Sequence, residues 1–127
     1  MVRLEWSAIR RICQDLGLPA GDSYTQDWVY ELPAKYRSKE FLTRYVAAYS
    51  NPEYGHGEKR VLMQLMLDVT NELLETDAVA GRNAWESVVT FLRERPGIHL
   101  DQVEYWAMPG RPLEEAFSVT PLVRTLL

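Results

Sequence analysis

Between Glu58 and Glu75 the chain carries one long amphipathic stretch that constrains everything around it. Val61, Leu62, Leu65, Met66, Val69 and Leu73 recur at helical spacing and share one face of a cylinder. Met63, Leu67 and Leu74 widen that face to about two-thirds of the circumference at roughly 100° per residue. Arg60, Gln64, Asp68, Asn71 and Glu75 occupy the narrow side that remains. A helix so broadly apolar must have neighbours on more than one flank, and the Met and Leu side chains read as core.

The rest of the chain offers those neighbours. Residues 4–16 predict a first helix, with Leu4, Ile9, Ile12, Cys13 and Leu16 at helical spacing, Gly17 as its stop and Pro19 barring continuation. A second helix is predicted over 38–49, where Phe41, Leu42, Tyr45, Val46 and Tyr49 form a stripe and Ser38 is placed to cap it. Pro52, Gly55 and Gly57 mark a loop over 50–57. The long helix at 58–75 is third. A fourth is predicted over 82–95, with Trp85, Val88, Val89 and Leu92 facing inward and Pro96-Gly97 ending it. Thr120-Pro121 predicts the start of a short last helix, with Thr120 at the cap and Pro121 in the first turn. Two segments read as extended. Residues 24–32 are rich in β-formers and close on Pro33, and residues 100–107 alternate weakly, although a helical turn also fits there.

The expected fold is therefore mainly α. It is a single-domain bundle over residues 1–127, with four main helices, a short C-terminal helix and room for a small two-stranded β element. A length of 127 residues fits one domain. Four Trp, seven Tyr and three Phe exclude a solvated coil. Most of these rings, including the pairs Trp28/Tyr30 and Tyr105/Trp106, are expected to be at least half buried.

Charge narrows the function classes. The net charge is −4, which argues against a broad basic face for nucleic acid. Residues 64–127 carry five Lys or Arg against ten Asp or Glu, a net of −5. The single cysteine, Cys13, permits no intramolecular disulfide and reads as a small buried hydrophobe. The first residues lack the apolar core of a signal peptide, and no segment approaches the roughly 20 apolar residues that span a membrane. A cytoplasmic protein is the expectation.

Chemistry-bearing motifs are sparse. With one Cys and two His, no zinc pattern or calcium loop is present, and no metal or cofactor is expected. Gly55-His56-Gly57 precedes a helix, but neither Walker nor Rossmann spacing is met. No Gly-x-Ser-x-Gly occurs, and no nucleophile lies beside a base. His56 in its glycine-flanked loop and His99 are the residues an enzyme would use.

Three segments carry a resemblance. They are Asp27-Trp28-Val29-Tyr30 with the helix from Ser38, then Glu58 to Met66, then Val103-Glu104-Tyr105-Trp106 followed by Leu113 to Arg124. In this order they resemble small, mostly uncharacterised bacterial proteins that include immunity partners of secreted polymorphic toxins. The resemblance spans about residues 25–125. It implies a non-enzymatic, cytoplasmic role in which the protein binds and neutralises a cognate toxin, and it brings no catalytic residues. An acidic surface suits such a role, because many toxins are nucleases with basic clefts. The expected contact residues are Asp101, Glu104, Glu114 and Glu115, with Asp68 and Glu75 behind them. The alternative is a homodimeric adaptor, and after it a small enzyme using His56 or His99. Monomer and homodimer both remain open at this point.

Overall fold

The computed structural model describes residues 2–21, 25 and 27–127. Among them the secondary structure is helical throughout, with seven α-helices, three short 3-10 turns and no strand. The helices are α1 (Trp6–Leu16), α2 (Trp28–Glu31), α3 (Lys39–Tyr49), α4 (His56–Thr76), α5 (Ala78–Glu94), α6 (Leu100–Ala107) and α7 (Thr120–Arg124). The mainly α class is thus as expected. The extended segments are not.

Local chemistry sets most of the boundaries. Gly17 ends α1 in the left-handed conformation at φ 71°, and both its N–H and that of Leu18 turn back to the Cys13 carbonyl. The Ser38 hydroxyl accepts from the Phe41 N–H and starts α3 as predicted. Asp77 does the same for α5 through the Ala80 N–H, which moves that helix's start ahead of the expected Arg82. At α4 the Glu58 carboxylate reaches back to the Gly55 N–H at 3.1 Å. This is half of a capping box, and it lets α4 begin at His56 rather than Glu58.

Both extended segments are corrected. Of residues 24–32, Tyr24 and Gln26 lie outside the described residues. Trp28–Glu31 form α2, where Asp27 accepts from the Tyr30 N–H and donates its own N–H to the Glu31 carboxylate. Trp28 and Val29 are both buried, a neighbouring pair that a strand would have sent to opposite faces. Residues 100–107 form α6. Its buried set is Gln102, Val103, Trp106 and Ala107, which is helical spacing. The pattern was hidden because Gln102, a polar residue, sits in the core against the His99 Nδ1 at 2.7 Å. The start of α7 differs in detail. Thr120 is its first helical residue rather than its cap, and its hydroxyl donates instead to the Trp106 carbonyl.

The described residues group into two compact units. One comprises Leu4–Val69, and the other Thr70–Leu127 with the N-terminal residues up to Arg3. The division falls within the continuous helix α4. In the first unit, Ile9, Ile12 and Cys13 of α1, Leu42, Tyr45 and Tyr49 of α3, and Val61, Leu62, Met63, Leu65, Met66, Leu67 and Val69 of α4 are buried. Lys59 is buried among them, with its Nζ donating to the Tyr49 carbonyl at 2.6 Å and lying over the Tyr49 ring. Arg37 and Asp68 meet at 3.1 Å with both side chains 14% exposed. The alignment makes that contact ionic rather than a directional hydrogen bond.

In the second unit, Trp85, Val88, Val89 and Leu92 of α5 are buried as the sequence predicts. Gly81 passes so close to α4 that an added Cβ would lie 2.7 Å from the Leu74 backbone nitrogen. The C-terminal end of α6 is held by Arg124. Its Nε donates to the Ala107 carbonyl and its Nη2 to the Met108 and Arg111 carbonyls. The Ala107 and Met108 carbonyls are among those a helix end leaves unpaired, so a guanidinium there satisfies their hydrogen bonding and the helix dipole, and the third bond ties in the loop at Arg111.

Candidate functional site

The structure separates the six expected contact carboxylates into distinct environments. Asp68 is committed to Arg37 inside the first unit. Glu75 is exposed at the end of α4 and accepts from the Ser118 hydroxyl at 2.9 Å. Asp101, Glu104, Glu114 and Glu115 are exposed in the second unit, on α6 and on the 3-10 turn Leu113–Glu115.

The exposed side of α6 is the most distinctive of these surfaces. At about 100° per residue, Leu100, Glu104, Asp101 and Tyr105 span roughly 140° of arc, opposite the buried Gln102, Val103, Trp106 and Ala107. Leu100 is 57% exposed and Tyr105 40%, so apolar and aromatic surface lies directly beside two carboxylates. No basic residue occurs in α6. Residues 96–119 carry four carboxylates against Arg111 alone, and that arginine lies 4.0 Å from Glu115. Among the described residues Glu104 has no ion-pair partner.

The Tyr105 ring is held in place from behind. It meets Trp106 edge-on at 5.4 Å between centroids and 85° between planes. It lies 5.8 Å from the Phe117 ring, and Phe117 packs on Trp106 at 4.7 Å. Trp106 is buried and Tyr105, at 40% exposed, is more than half buried, as expected, whereas Tyr30 is 70% exposed. Sequence reasoning marked the Tyr105-Trp106 pair but missed Leu100, because a strand at 100–107 distributes these side chains over two faces.

The histidines fall in unlike places. His56 is exposed at the first turn of α4. His99 is fully buried beside Gln102, a core group with no surface to offer a substrate. Cys13 is buried as predicted, and burial pushes its thiol up to about 11, which disfavours the nucleophilic thiolate. Among the described residues, no cluster of three or more His, Cys, Asp or Glu is arranged to hold a metal.

A shallow groove of about 670 Å³ opens in the first unit at the C-terminal ends of α1 and α3. Its lining includes Asp15, Arg44, Asn51 and Tyr54. The Tyr54 hydroxyl donates to Asp15 at 2.6 Å. Burial, and then the Asp15 hydrogen bond and charge, push that phenol up to about 12. Arg11 lies over the Tyr54 ring at 5.1 Å while reaching Asp15 at 3.9 Å and Glu58 at 3.4 Å. The groove's lining contains no His, Cys or Ser; within it Arg44 donates to the Leu16 carbonyl and Asp15 accepts from Tyr54.

Comparison with family models, with curated proteins and with solved structures finds no match to this chain.

Proposed function

We propose that this chain is a non-enzymatic protein of the immunity type, which binds and neutralises a cognate protein toxin through the acidic face of α6 and the 3-10 turn that follows it in the chain. The observation that carries the reading is the exposed quartet Leu100, Asp101, Glu104 and Tyr105 on a helix without a single basic residue. Productive interfaces combine a few aromatic or apolar anchors with complementary charge around them. Carboxylates steer a basic partner and set its on-rate, while the ring and Leu100 supply buried area that slows dissociation. The resemblance of the three sequence segments to immunity partners points the same way.

Co-expression with a tagged product of the gene immediately upstream tests this. The reading expects the pair to co-purify and the chain to rescue growth from a toxic partner. Reversing charge at Glu104, Glu114 and Glu115 to Lys should abolish both. An unchanged complex after that triple reversal would sink the acidic face. A concentration-dependent mass with no toxic partner would favour the homodimeric adaptor instead.

A further inference from the structure

The first unit carries a basic patch, although the net charge of the chain is −4. Residues 33–49 hold Lys35, Arg37, Lys39 and Arg44 against Glu40 alone. Arg37 is committed to Asp68. Lys35, Lys39 and Arg44 are exposed and have no ion-pair partner among the described residues. Two of them are held on aromatic rings. The Lys35 Nζ lies 5.0 Å from the centroid of Tyr36, and the Arg44 guanidinium 4.7 Å from that of Phe41. The two rings meet edge-on at 5.2 Å and 78°. The 3-10 turn Ala34–Arg37 and the start of α3 therefore present a continuous run of cation, ring, ring and cation. The Arg44 Nη2 also donates to the Leu16 carbonyl at 3.0 Å, which fixes the guanidinium by one edge.

We infer that this patch docks the acidic surface of a second copy of the chain, with Lys35, Lys39 and Arg44 of one copy meeting Glu104 and Glu114 of another. Charge complementarity selects that occupant. Glu104 and Glu114 are exposed and likewise have no ion-pair partner among the described residues. Each stands beside an exposed apolar side chain, Leu100 one helical turn before Glu104 and Leu113 next to Glu114. Those side chains can pack on the half-buried Tyr36 and Phe41 rings while the charges pair around them. Carboxylates suit the patch better than a nucleic-acid strand does. A strand stacks its bases on open ring faces, whereas here Lys35 and Arg44 lie over the rings. A cation already held on a ring loses little freedom when a carboxylate arrives. The inference does not rest on the toxin reading, but it bears on it. A second copy covers carboxylates that the toxin would take, so the two compete.

Sedimentation velocity of the full chain tests this. In about 20 mM salt the weight-average mass should rise above the monomer's 14.7 kDa as protein goes from about 10 μM to about 1 mM. It should fall back in about 0.5 M salt, where exposed charges are screened. Lys35→Glu with Arg44→Glu, and separately Glu104→Lys with Glu114→Lys, should each weaken self-association by about tenfold or more, because both surfaces of either variant then carry one sign. An equimolar mixture of the two variants should associate again, since every contact between them pairs opposite charges, and that recovery shows both to be folded. A wild-type chain that stays monomeric, association that salt does not reverse, or a mixture that stays monomeric would each overturn the inference. So would a monomeric chain that binds a fluorescein-labelled oligothymidylate until Lys35 and Arg44 are reversed, which would give the patch to phosphates. Toxin rescue without self-association would remove this inference alone. Self-association without a toxic partner would keep it and remove the immunity reading.

Discussion

Asp68→Asn should destabilise the protein by about 3 kcal/mol, the lower end of what breaking a buried ion pair costs. Opposite unit charges 3.1 Å apart attract by about 5 kcal/mol at an effective dielectric constant of roughly 20. Desolvation offsets most of that attraction in the intact pair, because both side chains are only 14% exposed. Removing one charge leaves the desolvation cost of the other without its compensation. Arg37 keeps its hydrogen bond to the Tyr30 carbonyl, which is neutral and offsets only part of the loss. For a chain of this size the melting temperature should fall by about 10 °C. Urea denaturation followed by far-UV circular dichroism measures the change directly. Arg37→Met combined with Asp68→Leu removes both charges and should return to within about 1 kcal/mol of the parent. A single mutant within about 0.5 kcal/mol of the parent, or a double mutant equal to the sum of two damaging singles, would refute the argument. Asp68→Asn should also leave partner binding intact in the folded protein, since Asp68 is committed to Arg37.

Gly81→Ala should cost about 1–3 kcal/mol by denaturant titration, because the new Cβ would meet the Leu74 backbone rather than a yielding side chain. Arg124→Ala should cost about 2–3 kcal/mol through the loss of its charge-assisted bonds to three carbonyls, and hydrogen exchange should accelerate first at the C-terminal end of α6. Cys13 should resist iodoacetamide at pH 8 in the folded protein and react only as urea unfolds it, since burial raises its thiol to about 11. Alkali should destabilise the fold: Cys13 and Tyr54 hold their protons more tightly folded than unfolded, so stability falls as pH rises from 9 to about 11 for the thiol and from 10 to about 12 for the phenol. Tyr54→Phe should flatten the upper part of that decline in a pH series of urea midpoints.

The helical class, the breadth of α4's apolar arc and the caps at Ser38 and Gly17 could be read from residues a few positions apart. Helix periodicity and capping are contacts between near neighbours in the chain, so the amino-acid order carries them directly. The acidic excess of the C-terminal half was equally countable. Its sorting was not. Asp68 and Glu104 are both carboxylates on helices, yet the path of the chain brings Arg37 to one and leaves the other exposed with no ion-pair partner among the described residues. The α6 segment shows the same limit. Burial of Gln102 beside His99 disguised a helical stripe as alternation, and with it the exposed quartet that includes Tyr105. Which side of a short helix meets water depends on what distant residues cover, and Thr120 and Arg124 come to the end of α6 only after the chain has folded back on it. The kinds of group available to bind a partner are thus a property of the amino-acid order, while their gathering into one face belongs to the folded chain, because burial and charge pairing act between residues that only folding makes neighbours.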